Sequence, residues 1–234
     1  MLNSSLEDAF RWAALMLIFT MLIAAFYFVD NDAYVRFAKE DALIENLSFL
    51  FYFFSGVILI LVGIQNKFPQ SRGLLPSLLG IFFVIVAGEE ISWGQRIFDF
   101  STPASMQATN TQGEFNFHNL QAFDKHKGWL NQHTILNIFV LLNGVIIPIV
   151  YWLSPMIRGI SGRLKFPIVP LVCVPIFVIA LTFEQALNRI SPHWAHTEVK
   201  ELLFAMGFLL FAVSFYRGRN VICDPQNTRA EHAR

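Results

Sequence analysis

The amino-acid sequence predicts an all-α fold, a polytopic membrane bundle of about six transmembrane helices with one long extracytoplasmic loop. Hydrophobic residues make up 55% of the 234 residues, including 25 phenylalanines, and the mean hydropathy is +0.50. Ordinary soluble domains are less apolar, at about 45–50% even when glycine is counted. The 17 lysines and arginines balance the 17 aspartates and glutamates, so we expect no nucleic-acid partner.

Six apolar runs approach the length of about 20 residues that a helix needs to cross the hydrocarbon core. They cover residues 12–29, 44–64, 74–98, 134–153, 167–187 and 199–216. Residues 1–216 are therefore predicted to form one transmembrane domain, with a loop or lid at residues 99–133 and a polar cytoplasmic tail at residues 217–234. The first run is too long for a signal-peptide core and lacks a clear basic segment and cleavage site, so we expect it to be retained.

The lysines and arginines in the connections predict the orientation in the membrane. With six spans, ten of them lie on the side of the two termini and seven on the opposite side, which places both termini in the cytoplasm. Thirteen of the 17 acidic residues fall on the outer side, and acids contribute little to topology. Cys173 and Cys223 would lie at different depths, so no disulfide framework is expected.

The third span carries charge where a membrane helix should still be apolar. Its last third reads GEEISWGQR, with Glu89 and Glu90 followed by Arg96. Ionisable groups at membrane depth are expensive, so they tend to face a protein interior or a wet cavity and often mark function. In a continuous helix Glu89, Trp93 and Arg96 share one face. The alternative is that these acids are interfacial and solvated.

Carboxylates on other spans are predicted to reach the same layer. Glu89 lies about 22 Å along the third span and Glu184 about 25 Å along the fifth, at a rise of about 1.5 Å per residue. Glu45 and Glu201 open the second and sixth spans on that same side. The hydrocarbon core is about 30 Å thick, so all four carboxylates are expected in its outer part.

The long loop contains a second polar set. Glu114, Asn116 and His118 alternate with Phe115 and Phe117. In an extended segment the polar side chains face one way and the phenylalanines the other, and in a helix Glu114 and His118 still share a face. We interpret the loop as a lid folded over the acidic layer. The alternative is a partly buried interfacial loop with an incidental histidine.

A histidine pair precedes the sixth span. Ser191 and Pro192 are typical of a helix cap and first turn, which places His193 and His196 one turn apart. Two histidines at this spacing are candidate metal ligands. They are equally typical of interfacial histidines beside an anchoring Trp194.

The motifs GEEISWGQRIF and NTQGEFNFHNL, preceded by KEDALIENLSFLFYFFSG, resemble those of a family of uncharacterised bacterial multi-pass membrane proteins. The resemblance covers about residues 39–120. It implies a bacterial inner (cytoplasmic) membrane protein and carries no established activity.

The sequence is also similar, more weakly, to the CAAX-type intramembrane glutamate proteases. Those enzymes have paired glutamates with an arginine three residues further on, followed by histidine motifs. Here Arg96 follows the Glu89–Glu90 pair after five residues, and Phe115 precedes His118 by three residues rather than four.

Alkaline-ceramidase-like membrane hydrolases are similar in type, because they combine a carboxylate, a serine and several histidines at one membrane face. The comparable residues here are Glu45, Ser48, Ser92, His193 and His196.

Two function hypotheses follow. The first is a metal-dependent hydrolase acting on a membrane lipid or peptide, with a divalent metal such as zinc lowering the pKa of a bound water toward about 7. The second is a non-catalytic transporter, cation- or proton-binding protein or membrane interaction subunit. The catalytic candidates are Glu89, Glu90, Arg96, Glu114 and Asn116. The metal-ligand candidates are His118, Glu184, His193 and His196.

Overall fold

The computed structural model describes residues 2–39, 41–64, 73–117, 119–123 and 131–217. In these ranges the chain is helical, with no strand beyond an isolated bridge between Asn110 and Leu120. The helices are α1 (Leu2–Val29), α2 (Asn31–Ala38), α3 (Leu43–Ile64), α4 (Leu74–Glu90), α5 (Gln95–Phe98), α6 (Ala104–Gln107), α7 (Gln132–Val140), α8 (Ile147–Leu153), α9 (Pro155–Leu164), α10 (Val174–Asn188) and α11 (Ala195–Tyr216). Short 3-10 turns lie at Ser92–Gly94, Gln121–Phe123 and Leu171–Cys173.

The helices are compatible with a multi-pass membrane protein. Within the described residues, four of them are long and apolar enough to cross a membrane, or six if each of two bent pairs is one span. Large apolar side chains such as Leu22, Ile64 and Leu153 are more than 60% exposed. Continuous apolar surface of this kind is rare on soluble monomers. The all-α class is therefore confirmed, and four to six of the described helices are compatible with membrane spans.

Helix α11 lies at the centre of the bundle. Of its apolar window, 61% is buried, against 17–39% for the other three unbroken spans. It packs against α3 and α10, and α3 packs in turn against α4. Phe208 of α11 contacts Phe83 of α4 and Phe177 of α10, with ring centroids 4.7 and 4.8 Å apart. The acids near the start of α11 are thereby held beside the ends of α3 and α4.

Helices α3 and α4 approach each other at two glycines. A Cβ atom added to Gly80 would lie 2.6 Å from the Gly56 carbonyl oxygen, and one added to Gly56 would lie 2.6 Å from that of Gly80. Small residues at such crossings allow close backbone packing between membrane helices. This contact sets the spacing of the two helices that carry Glu45 and Glu90.

The third predicted span is interrupted. Helix α4 ends at Glu90, eight residues before the predicted end, and the chain bends by 70° before α5. The first span is also part of a bent pair, since α1 and α2 meet at 118°. There Asp30 caps α2 by accepting a hydrogen bond from the Ala33 amide at 2.8 Å.

The fourth span contains a π-helical segment at Leu141–Ile146, although Gln132–Leu153 runs as one 22-residue helix. Pro148 follows the segment. Because proline has no amide N–H, it cannot donate to the carbonyl four residues earlier, and a local widening of the helix accommodates the lost bond.

We expect Gly80→Ala to lower the stability of the bundle, because its Cβ atom would overlap the Gly56 backbone. Overpacking of this kind costs about 1–3 kcal/mol. Gly159→Ala is the matched control, since it lies in a helix with nothing within 4 Å of the new Cβ. Thermal unfolding in detergent checks both variants, and equal melting temperatures would contradict the close approach.

Candidate functional site

The chain turns sharply after Glu90 because three consecutive residues adopt left-handed backbone conformations. Their φ angles are 47° at Ser92, 55° at Trp93 and 74° at Gly94. Such conformations are unfavourable for residues other than glycine and persist only where surrounding contacts hold them. The Trp93 ring provides one contact, lying where a Cβ on Gly88 would be 3.0 Å from it.

Glu89 connects this turn to the loop. Its Oε1 atom accepts a hydrogen bond from the Trp93 indole Nε1 at 2.6 Å, and its Oε2 atom accepts one from the Phe117 amide at 2.6 Å. One carboxylate therefore holds both the tryptophan and the centre of the GEFNFHNL motif in place.

Glu114 organises a buried polar network next to the turn. Its carboxylate forms an ion pair with Arg96, which also pairs with Asp41. The Ser92 hydroxyl donates to Glu114 Oε2 at 2.7 Å, and Asn116 Nδ2 donates to the same oxygen at 2.9 Å. Three of the predicted catalytic residues are thus brought together, in a network that fastens the loop to the end of α4.

The described part of the loop is folded rather than extended. The Asn110 side chain donates to the Asn116 carbonyl and side-chain oxygens, and its own Oδ1 accepts from the amides of Gln112 and Glu114. The Thr111 amide donates to the Asn119 carbonyl oxygen at 2.8 Å. His118 lies outside the described residues, as do Cys223 and residues 218–234 of the polar tail.

An open cleft of about 850 Å³ lies beside this network. Five carboxylates line it, together with Lys39 and His133. The five are Glu45, Glu89, Glu90, Glu198 and Glu201. We call this space the acidic cleft. One wall comes from the loop, through Thr111, Gln112, Asn119 and Leu120, and the lid interpretation stays a prediction.

Glu90 interacts with each of the other four carboxylates of the acidic cleft. Its carboxylate is within interaction range of Glu201, Glu198, Glu45 and Glu89. These four groups approach from the start of α3, the end of α4 and the start of α11. Like charges at such range repel one another, so a proton or another cation that enters the cleft is stabilised.

His133 is a cleft residue that was not among the sequence-based candidates. Its Nδ1 atom lies 3.0 Å from Glu201 Oε1, and the ring lines the acidic cleft. The carboxylate on one ring nitrogen orients the imidazole, while the other, Nε2, accepts a long hydrogen bond of 3.5 Å from Gln132 Nε2. The signal in the sequence was its position directly before the fourth apolar run, on the same predicted side as Glu201.

Glu184 and Lys200 form an ion pair outside the acidic cleft. The Lys200 Nζ atom donates to Glu184 Oε2 at 2.7 Å, and the Thr197 hydroxyl donates to Oε1 at 2.9 Å. Lys200 is only 1% exposed. A lysine at that depth requires a partner, so Glu184 compensates a buried charge.

His196 is buried and bonded through both ring nitrogens. Nε2 donates to the Ser191 carbonyl oxygen at 3.0 Å, so Nδ1 accepts from the Tyr34 hydroxyl at 3.0 Å. His193 Nδ1 accepts from the Ala195 amide at 3.1 Å. Neither histidine lines the acidic cleft. Glu184, His193 and His196 therefore join α2, α10 and α11 rather than surround a common point in the cleft.

The described residues contain no group of three or more histidine, cysteine, aspartate or glutamate side chains arranged to hold a metal ion. Glu184 and His196 do not fit such a role in their present hydrogen bonds. Because His118 lies outside the described ranges, the zinc hypothesis stays a prediction.

No protein-family model matches the chain, and neither a curated protein nor a solved structure shows significant similarity to it. The family resemblance of residues 39–120 accordingly stays a prediction.

We expect Glu114→Gln to loosen the loop, because it removes the charge that pairs with Arg96 and replaces an acceptor of Ser92 and Asn116 with an amide. Losing a buried charge-assisted bond costs about 1–3 kcal/mol. Limited proteolysis of the loop and thermal unfolding both report this change. Asp99→Asn, at an exposed position with the same side-chain chemistry, is the control and should behave as the wild type.

Proposed function

We propose that the protein is a multi-pass protein of the bacterial inner membrane that binds a cationic ligand in the acidic cleft. The convergence of five carboxylates on one cleft carries the proposal. Their repulsion is relieved when a cation enters, so part of the binding free energy comes from the fold itself. The volume of about 850 Å³ falls in the range of small-molecule sites, about 300–1,000 Å³.

The lining of the cleft indicates an organic cation with an apolar body. Between the carboxylates lie Val86, Leu136, Leu120 and Trp194. A small inorganic ion gains little from these side chains, whereas an amphipathic cation buries its hydrocarbon part against them. Trp194 is 48% exposed, and tryptophan faces also attract cations.

The position of the cleft supports binding at a membrane surface. Glu45 lies in the first turn of α3, Glu90 ends α4, and Glu198 lies in the first turn of α11. Transporter sites are more often built near the midplane from interrupted helices. With both termini in the cytoplasm, as the lysine and arginine counts favour, the acidic cleft opens on the outer side, within reach of membrane lipids.

We expect hexylammonium and hexyltrimethylammonium to bind the protein in phosphatidylcholine nanodiscs, and hexanol not to bind, because only the cations relieve the carboxylate repulsion. Isothermal titration measures the affinities. Glu90→Gln with Glu198→Gln should weaken both cations by at least about tenfold, since each lost charge pair near a surface is worth about 1 kcal/mol.

Asp32→Asn removes an exposed carboxylate outside the cleft lining and is the matched control. Equal binding of hexanol, or unchanged cation affinity in the double glutamine variant, would refute cation recognition by the cleft.

A second candidate function, hydrolysis of a membrane lipid or peptide, is favoured by the pair of His133 and Glu201. In that reaction His133 would take a proton from a water molecule as the water oxygen attacks the carbonyl or phosphoryl centre. Glu201, 3.0 Å from Nδ1, would stabilise the imidazolium that forms. The cationic part of the substrate would lie among the remaining carboxylates.

For this candidate we expect His133→Asn to lower hydrolysis by about 10²-fold or more, which is the usual contribution of a general base. Mass spectrometry of fatty acids and headgroups released from nanodiscs of bacterial lipid measures the rate. Unaltered turnover in the variant, or none in the wild type, removes the hydrolytic candidate and leaves cation binding intact.

A further inference from the structure

Three aromatic rings form a layer beneath the acidic cleft. Tyr52 lies 5.9 Å from Phe83 and 6.4 Å from Phe208 between ring centroids, and the two phenylalanines lie 4.7 Å apart. Each ring is seven residues from a cleft glutamate on its own helix, about 10 Å along the axis. The pairs are Glu45 with Tyr52, Phe83 with Glu90, and Glu201 with Phe208.

Tyr52 is the one member of this layer with a polar group, and helix geometry directs that group toward the end of α3 that carries Glu45. Side chains on a helix lean toward its N-terminus, and Glu45 lies in the first turn of α3. The Tyr52 hydroxyl is within electrostatic range of the Glu90 and Glu201 carboxylates. It therefore lies between the aromatic layer and the acidic cleft.

The Tyr52 hydroxyl has no hydrogen-bond partner among the described residues, although the residue is only 1% exposed. Buried hydroxyls are nearly always bonded, because an unmet hydrogen bond lowers stability. A phenylalanine would pack in the same layer without that loss. Packing within the bundle therefore gives no reason for a hydroxyl group at this position.

A second buried oxygen atom, on a residue that lines the cleft, also lacks a hydrogen-bond donor among the described residues. Gln132 Oε1 is buried and accepts no hydrogen bond from the described residues, and Gln132 lines the acidic cleft. Gln132 Oε1 and the carboxylates of Glu90 and Glu201 are all hydrogen-bond acceptors. Acceptors at a negative site are satisfied by a positively charged group that carries several N–H donors.

We propose that the ligand of the acidic cleft is a primary ammonium group, bound by Glu90, Glu201 and the Tyr52 hydroxyl. This inference rests on the proposed cation binding and narrows it to one class. A primary ammonium has three N–H donors, which match these three acceptors. A quaternary ammonium carries the same charge and no donor, so it leaves the Tyr52 oxygen unmet.

Two sources supply this chemistry. One is the headgroup of an aminophospholipid such as phosphatidylethanolamine, and the other is a soluble amine such as a polyamine. Both present a primary ammonium to a cleft whose walls include apolar side chains.

The test compares hexylammonium with hexyltrimethylammonium by titration in phosphatidylcholine nanodiscs. Wild-type protein should prefer the primary amine by about tenfold, the effect of one hydrogen bond to a charged group. Tyr52→Phe should lower that preference, because one of the three hydrogen bonds to the primary ammonium is lost, and should leave the affinity for the quaternary cation unchanged. The ligand-free variant should unfold at or above the wild-type temperature, because an unbonded buried hydroxyl has been removed.

Tyr216→Phe, at an exposed position on α11 fifteen residues beyond Glu201, is the matched control and should keep the preference. If both cations bind equally to the wild type, or if Tyr52→Phe keeps the preference, the primary-ammonium assignment is overturned while cation binding stands. If neither cation binds, the proposed function itself fails.

The two sources are then separated by competition. Replacing phosphatidylcholine stepwise with phosphatidylethanolamine should weaken hexylammonium binding if the headgroup is the ligand. Spermidine should compete, with no effect of phosphatidylethanolamine, if the ligand is soluble. Either result supports the assignment. If neither phosphatidylethanolamine nor spermidine competes, the assignment is overturned.

Discussion

At one end of this bundle, apolar packing holds several carboxylates close together although they repel one another. The acidic cleft depends on this opposition of packing and charge. Helices α3 and α4 are locked together where Gly56 meets Gly80, and Phe208 of α11 packs on Phe83. Glu45, Glu90 and Glu201 lie about two turns above this packing, so the core fixes the backbone positions that carry them. The fold therefore keeps a negative site assembled before any ligand arrives, which is the condition for preorganised binding.

The break after Glu90 gives the cleft its second wall. Because the chain turns at Ser92–Gly94, Arg96 is directed to Glu114 and Asp41, and the loop is fastened where a straight helix would have continued. Polar groups near a membrane must find partners within the protein. The Ser92, Glu114 and Asn116 network supplies them. Arg96, Glu114 and Asn116, which the sequence offered as catalytic candidates, therefore hold the loop in position. Glu89 and Glu90 line the cleft.

The histidines of the described residues also differ in their surroundings. His196 uses both ring nitrogens to join α2 to the turn before α11, and Glu184 compensates the buried charge of Lys200. His133 instead lies in the cleft with one nitrogen on Glu201. Burial explains the difference. An imidazole enclosed by protein must satisfy both nitrogens locally, whereas the second nitrogen of His133, at the open cleft, makes only a long contact of 3.5 Å with Gln132 Nε2.

The sequence alone determined the helical fold, close bounds for α3, the ends of α10 and α11, and the gathering of Glu45, Glu89, Glu90 and Glu201 at one height, because apolar run length and helix rise depend on local chemistry. Only the tertiary structure decided that the third span breaks at Glu90, that Glu184 pairs with Lys200, and that the Tyr52 hydroxyl has no hydrogen-bond partner among the described residues. These features depend on which side chains from distant helices meet. Such contacts follow from packing around α11, which no periodicity in a single segment encodes.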